Sequence, residues 1–298
     1  MRSFSKVFCL SLLSVALLAG SAQARTVKGC VIKAKTSCAG KNLSGQNLRG
    51  VNLSRANLNG VNLSKADLRG ANLKGANLRK ANLKGAKLGP KPTTKKNGAH
   101  TSQTPSCAPN CQGADLSYAN LTSAALTSAN LSSANLSYAN LSNATLTYAN
   151  LTSGNLIGAN LYYAILQDAN LTSANLSSAY MFNATLLDAS LSSANLSYAN
   201  LTGLNLTDVN LTGANLASTT LSNATLTDAN LTSANLTSAN LTYAILQGAN
   251  LTSANLTSAI LSYANLVGAI LNGAIFTSAQ GCSAVTPAGT LNGLGCAN

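Results

Sequence analysis

The 298-residue chain contains no tryptophan, no glutamate and a single histidine, His100, which lies beside threonine and serine residues. General acid–base catalysis needs a histidine or carboxylate held by a fixed partner, and this histidine has no acidic neighbour in the sequence. No glycine-rich phosphate-binding loop is present either. The composition therefore predicts a protein that is not an enzyme and that needs no cofactor.

Positive charge is missing from most of the chain. Residues 97–298 contain no lysine or arginine and five aspartates, whereas residues 25–96 contain 17 basic residues and only Asp67. A strongly basic end favours an anionic partner, such as lipid headgroups, lipopolysaccharide or acidic glycans. No aromatic residue between Arg25 and Ser117 could stack on bases, which argues against nucleic acid. The alternative is that these charges only keep the segment soluble.

What the chain does have is a five-residue unit with an apolar centre. Centres recur without a slip from Leu116 to Phe276, which makes 33 units, and Leu43 to Leu88 make 10 more. This period fits neither a helix nor a flat strand, so the chain must turn once per unit. Four units would close a square coil, with successive coils about 4.8 Å apart. The central residue and the alanine two before it would then point inward.

The unit, written Ala-Asn-Leu-Thr-Ser at 119–123, resembles the A-[N/D]-L-x-x signature of the pentapeptide-repeat family. Members of that family form a right-handed quadrilateral β-helix. The resemblance implies an all-β solenoid of about 43 units in two blocks. The family includes cytosolic proteins that imitate duplex DNA and bind DNA gyrase, and many extracytoplasmic members with no assigned activity.

The N-terminus has the pattern of a secretory signal peptide. Basic residues precede an apolar run, and Ala22-Gln23-Ala24 forms a small-residue cleavage site. We therefore expect cleavage after Ala24 and a secreted or periplasmic protein. The expected organisation is a signal peptide (1–24), an N-terminal cap (25–40), a basic repeat block (41–90), a linker rich in proline, threonine and lysine (91–113), the main solenoid (114–278) and a C-terminal cap (279–298).

The linker interrupts the phase of the repeat. Leu88 and Leu116 are 28 residues apart, which is not a multiple of five. Either the linker bulges from one continuous helix, or it joins two short solenoids. We favour the bulge, because a ten-unit block is small and stacking would bury its open end. A homodimer through one end of the solenoid also remains open.

Six cysteines follow the predicted cleavage site, and an even number in an exported chain favours disulfides. Six cysteines allow 15 pairings, so the connectivity is open. A cysteine metal site is disfavoured, since no C-x-x-C pair exists. The simplest pairing is local: Cys30 with Cys38, Cys107 with Cys111, and Cys282 with Cys296.

The outward positions of the first block carry many basic residues. A 20-residue period places two of them on one side and spreads the others over the remaining sides. We call this set the basic collar and take it as the candidate site for an anionic surface. Its members are Arg49, Arg55, Lys65, Arg69, Lys74, Arg79, Lys80 and Lys84.

Three regular columns mark the sides of the main solenoid. Asp168, Asp188, Asp208 and Asp228 would stack about one strand spacing apart, as a weak cation ladder or as solvated turn residues. A second column pairs Ser or Thr with a small residue, from Ser132-Ser133 to Thr252-Ser253. That flat hydroxyl array resembles the face of β-solenoid ice-binding proteins, although the same residues also form ordinary turns. Tyrosines form the third kind of column, at Tyr118, Tyr138 and Tyr198 and at Tyr163, Tyr243 and Tyr263.

The sequence thus predicts an exported, non-enzymatic scaffold that presents a rigid surface to an unknown protein or to an anionic surface. The first alternative is ice binding through the Ser/Thr side. The second is imitation of DNA at gyrase, which requires a strongly acidic surface and a cytosolic target. Five aspartates after residue 97 and the predicted signal peptide argue against that second alternative.

Overall fold

The computed structural model describes residues 25–88, 110–281, 283–286 and 289–290. Most of them form one long ladder of parallel bridges, in which Asn130 pairs with Asn150 and so on at a spacing of 20 residues. Four five-residue units therefore make one coil, as the period predicts. The described part of the chain contains no helix, and hence none that could cross a membrane.

A tight turn ends every unit. The Ala56 N–H donates to the Leu53 carbonyl at 3.1 Å, and equivalent bonds recur along the chain. The last residue before the alanine has a left-handed backbone, with φ of 54° at Arg55 and 56° at Ser173. Glycine suits this position best, which explains why so many units of the first block end in glycine.

The asparagine before each centre supports this turn. Four of the five N–H groups in a unit bond to backbone carbonyls, and the residue after the centre is left over. The Asn150 Oδ1 accepts that N–H from Thr152 at 3.1 Å, and Asn72 does the same for Lys74 at 3.1 Å. The asparagine of the repeat therefore completes the hydrogen bonding of each unit.

The central residues and the alanines fill the interior. Leu171 and Ala174 are fully buried, whereas Ser173 between them is exposed. Each buried leucine stabilises the fold by about 1.5–3 kcal/mol relative to exposure. The predicted division into inward and outward positions is confirmed.

The two repeat blocks form one continuous solenoid. Asn72 pairs with Asn110 and Lys87 with Ala125, so the spacing along the ladder rises once from 20 to 38 residues. Eighteen extra residues thus leave the ladder at one place, and the rungs on both sides of it are intact. The Leu73 N–H donates to the Asn110 carbonyl at 2.9 Å, and the Leu88 N–H to Ala125 at 2.7 Å. The interpretation of the linker as a bulge is confirmed.

Short antiparallel hairpins lie at both ends. Strand β1 (Arg25–Val27) pairs with β2 (Cys30–Ile32), and β3 (Val285–Thr286) pairs with β4 (Gly289–Thr290). The Arg25 guanidinium donates to the Asn47 carbonyl, which ties the first hairpin to the coils. Hairpins at these positions cover part of the ladder edges that a solenoid otherwise leaves open.

Candidate functional site

The four sides of the solenoid are named here by their contents. The Asp side carries the units stacked with Leu166, and the hydroxyl side those stacked with Leu151. The Tyr118 side is stacked with Leu136, and the Tyr163 side with Leu161. The ladder across the insertion assigns the first block to the same four sides.

The basic collar surrounds the first coils on every side. The sequence alone left the collar's alignment with the shaft open, and the ladder settles it. Its members are exposed, apart from the half-buried Arg69, and Lys87 adds a ninth exposed basic residue on the Asp side. Their places are Arg49 and Arg69 on the Asp side, Arg55 and Lys74 on the hydroxyl side, Arg79 and Lys80 on the Tyr118 side, and Lys65 and Lys84 on the Tyr163 side.

One collar residue is paired with an acid. The Arg69 Nε donates to Asp67 Oδ1 at 2.8 Å, and the two side chains form an ion pair. The hydrogen bond from Arg69 lowers the pKa of Asp67, and the same contact raises the pKa of Arg69. This is the one ion pair among the described residues, so the remaining collar charges face solvent without an acidic partner.

The Asp column lies on the Asp side, with Asp168 half-buried and Asp188, Asp208 and Asp228 exposed. Within the described ranges, no group of three or more His, Cys, Asp or Glu side chains is arranged to hold a metal ion. The ladder therefore stands as a row of separate carboxylates. At its N-terminal end, desolvation and then a hydrogen bond and repulsion from Asp168 raise the pKa of Tyr148.

The Tyr118 side carries an aromatic column that crosses the insertion. The Arg79 guanidinium lies 5.7 Å from the centre of the Tyr118 ring, and that ring stacks on Tyr138 at 5.2 Å. The Tyr138 ring in turn covers Gly158, where a Cβ would lie 2.6 Å from the ring. The third predicted member, Tyr198, stands apart from this column and is 69% exposed.

A second aromatic cluster on the Tyr163 side was not predicted as a group. Tyr162 packs edge-on against Tyr163 at 4.3 Å and stacks on Phe182 at 6.1 Å, with Tyr180 at 6.1 Å as well. A hydrogen bond with Tyr163 raises the pKa of Tyr162. The signal was present, because Tyr162 and Phe182 are 20 residues apart and so share a column. Farther along, Tyr243 stacks on Tyr263 at 4.8 Å.

The hydroxyl side shows a repeated side-chain arrangement. The Oγ1 atoms of Thr152, Thr212, Thr232 and Thr252 each donate to the asparagine two residues before, at 2.7–2.8 Å. Thr172 differs, since its hydroxyl contacts Ser190 and Ser192 instead. The asparagine thus holds both the backbone and the threonine side chain of most units on this side.

The cysteines divide into two situations. Cys30 and Cys38 form a disulfide, and Cys38 occupies the buried central position of a unit. Cys111 also occupies a central position, where it is fully buried with a free thiol, so the predicted pairing with Cys107 is wrong. Burial raises the pKa of Cys111 to about 12, which makes it a core residue rather than a nucleophile.

Several sequence predictions concern residues outside the described part of the chain. These are the signal peptide, the linker histidine and three of the cysteines. They stay predictions, and their residues are 1–24, His100, Cys107, Cys282 and Cys296.

Comparison with known proteins agrees with the repeat geometry. Eight overlapping stretches match the family of pentapeptide repeats, at residues 36–75, 56–89, 110–147, 139–177, 174–213, 210–248, 234–273 and 249–280. This chain is a pentapeptide-repeat protein. Its coils accordingly form a right-handed β-helix, the fold that the sequence predicts.

Solved structures of the same family support this assignment by sequence. HetL, a pentapeptide-repeat protein involved in heterocyst differentiation regulation from the cyanobacterium Nostoc sp. strain PCC 7120, is 34% identical over 83% of this chain and 91% of its own, with a TM-score of 0.38. Rfr23 from the cyanobacterium Cyanothece 51142 is 32% identical over 41% of this chain and 89% of its own, with a TM-score of 0.27.

A pentapeptide-repeat protein of the Arabidopsis thaliana thylakoid lumen is 33% identical over 35% of this chain and 66% of its own, with a TM-score of 0.16. No significant match was found among curated proteins. The family assignment rests on the repeat match and the sequence identity, not on the superpositions.

Proposed function

We propose that this pentapeptide-repeat protein is an exported, non-enzymatic scaffold whose basic collar docks onto an anionic surface. Residues 1–24 would direct export, and the solenoid beyond the collar would project as a rigid shaft that presents its sides to protein partners. Polyanionic lipid headgroups and lipopolysaccharide are the chemistry that the collar suits best.

The distribution of charge carries this proposal. Collar residues occupy all four sides of the first coils, whereas the described residues from 110 onward include no lysine or arginine. Only Arg69 has an acidic partner among the described residues. Each basic residue near an anionic membrane contributes about 1 kcal/mol, so a few simultaneous contacts suffice for binding. The shaft would then stand away from the surface because it has nothing cationic to bind it.

The experiment compares vesicles of anionic and neutral lipid across a salt series, using the mature protein. A collar variant replaces Arg49, Lys74, Arg79 and Lys84 by glutamine, one on each side, at positions that follow the central residue and avoid the left-handed turn site. A matched control makes the same kind of change on the shaft, where glutamine already occurs naturally at Gln167. Its substitutions are Ser132→Gln, Ser137→Gln, Ser142→Gln and Thr147→Gln.

We expect salt-sensitive binding to anionic vesicles that the collar variant loses and the control keeps. Binding that persists in the collar variant, or that is equal on neutral vesicles, would contradict docking through the collar. In that case the collar would act only to keep the first coils soluble.

Ice binding by the hydroxyl side is the second candidate function. The observation that favours it is the asparagine bond to Thr152, Thr212, Thr232 and Thr252, which gives these threonines the same orientation in each coil. Such an array would present methyl groups and hydroxyl oxygens at a constant spacing of about 4.8 Å. A lattice of ordered water could match that repeat.

Thermal hysteresis and ice-crystal shape test this second function. Thr212→Tyr with Thr232→Tyr should abolish any activity by disturbing the flat side. Thr207→Tyr with Thr227→Tyr on the Asp side serves as the control, because large residues such as Leu187 already occur at that position there. An unmodified protein that leaves ice growth unchanged would rule the function out.

A further inference from the structure

An apolar strip is exposed where the Asp side meets the Tyr163 side. We define the apolar strip as Tyr148, Tyr163, Ile165 and Leu187, with Ile165 41% and Leu187 49% exposed. Neighbouring coils connect them, since the Tyr148 N–H donates to the Gln167 carbonyl at 3.0 Å and the Asp168 N–H to Leu187 at 2.9 Å. The equivalent positions of other coils are mostly threonine, asparagine or serine, so this apolar character is local.

The aromatic cluster extends this strip around the corner. Tyr162 and Phe182 are stacked with their planes 8° apart, and Tyr180 and Phe182 with theirs 18° apart. Because the ring faces pack on one another, the edges are left to face outward. A surface of ring edges suits contact with protein side chains better than the stacking of a sugar on a ring face.

The carboxylates of Asp168, Asp188, Asp208 and Asp228 form a row beside the apolar strip on the same side. No lysine or arginine of the described shaft compensates them, and the described part of the chain shows no metal group that includes them. A row of uncompensated carboxylates attracts a cationic partner and disfavours an acidic one. Charge therefore selects which partner can cover the apolar strip.

The spacing of the row selects the form of that partner. Consecutive carboxylates are one coil apart, so the four lie at about 0, 4.8, 9.6 and 14.4 Å along the axis. On an α-helix, positions i, i+3, i+7 and i+10 lie at about 0, 4.5, 10.5 and 15 Å, a match within about 1 Å. The same-face side chains of an extended strand repeat at about 6.8 Å and do not match.

We propose that this surface binds an amphipathic α-helix of a partner protein, which lies along the solenoid axis. Its lysine or arginine stripe pairs with the four carboxylates, and its neighbouring apolar stripe covers the apolar strip. This interaction is independent of the basic collar, which lies at the other end of the chain and has the opposite charge.

The test uses a synthetic 18-residue helical peptide with lysine at positions i, i+3, i+7 and i+10 and leucine on the adjoining face. Isothermal titration measures its binding to the mature protein at low and moderate salt. One comparison peptide has the same composition with the lysines redistributed around the helix, and another carries a central proline that prevents the helix.

The protein variant is Asp188→Asn with Asp208→Asn. Asparagine adopts the same left-handed turn elsewhere, with φ of 57° at Asn183 and 58° at Asn223, so the fold should not change. The control is Asp115→Asn, which removes an acidic residue of the Tyr118 side. Leu187→Ser tests the apolar contact separately.

We expect the double variant to weaken binding of the striped peptide about fivefold or more. Leu187→Ser should also weaken it, and Asp115→Asn should leave it unchanged. Both comparison peptides should bind more weakly than the striped peptide. Equal binding of the double variant, or equal binding of the redistributed or proline peptide, would overturn the proposal.

Discussion

The basic coils and the shaft share one interior and have opposite surfaces. Leu73 and Ala71 in the first region are as buried as Leu171 and Ala174 in the second. Outside, the first region carries the collar, whereas the second carries hydroxyls, tyrosines and aspartates. Because only the inward positions and the asparagine are required by the coil, the outward residues are free to differ. Function in this protein is therefore to be sought in what distinguishes the sides, not in the fold.

The largest expected effect concerns the interior that both regions share. Ala71→Phe and Ala174→Phe should each destabilise the protein by about 3 kcal/mol, because neither coil has room for a ring. Ser173→Phe should be nearly silent, since tyrosine already occupies the same turn position at Tyr138 and Tyr198. Chemical denaturation measures all three. Similar midpoints for Ser173→Phe and Ala174→Phe would contradict the assignment of inward and outward positions.

The second effect concerns the join between the two regions. Tyr118→Ala removes both the contact with Arg79 and the stacking on Tyr138, and should cost about 1–2 kcal/mol. Tyr198→Ala is the control, because it removes the most exposed tyrosine of the described shaft. Thermal unfolding compares the two variants. Equal losses would mean that the aromatic column does not stabilise the join.

The third effect distinguishes the regions by one hydroxyl group. Asn150 accepts hydrogen bonds from both the N–H and the Oγ1 of Thr152, whereas Asn72 accepts only the Lys74 N–H. Asn72→Ala should cost about 1 kcal/mol, and Asn150→Ala somewhat more. The Thr152→Val variant should reduce that difference. A larger loss for Asn72→Ala would show that the added hydroxyl bond does not stabilise the shaft.

The smallest effect is the pH dependence of the one ion pair in the collar. The Arg69 hydrogen bond lowers the pKa of Asp67, so its contribution to stability is present above the unfolded pKa of about 3.9 and is lost as the pH falls through the folded value. Asp67→Asn keeps the turn bond but should shift the melting temperature by roughly 1–2 °C at most at neutral pH. That shift should vanish at low pH. A shift that grows in acid would have the wrong sign for this explanation.

Much of the fold could be predicted because the same evidence occurs in every unit. The period of five, the inward leucine and alanine, and the glycine at turn positions such as Gly45 each follow from local geometry. The role of the asparagine could not be predicted in the same way, since it depends on which N–H the ladder leaves without a partner. The position of Cys111 was missed because a cysteine in the leucine place looked like part of the linker.

The candidate sites were predicted less completely. The columns of aspartates and hydroxyls follow from writing the chain in rows of 20, and the structure keeps those rows. The aromatic cluster around Tyr162 joins positions before and after a unit centre, so a single column does not show it. Its contacts depend on how the side chains lean between coils.

The sequence by itself determined the unit, the coil and the contrast between a cationic first block and a shaft without basic residues. These properties repeat locally, so they need no knowledge of distant contacts. Only the tertiary structure decided that Asn110 lies above Asn72 and Lys87 beside Ala125. The alignment depends on which ladder rungs resume after the insertion, and hydrogen bonding between coils sets it. That alignment places Arg49 and Arg69 on the side that also carries the aspartates, and Arg79 over the ring of Tyr118.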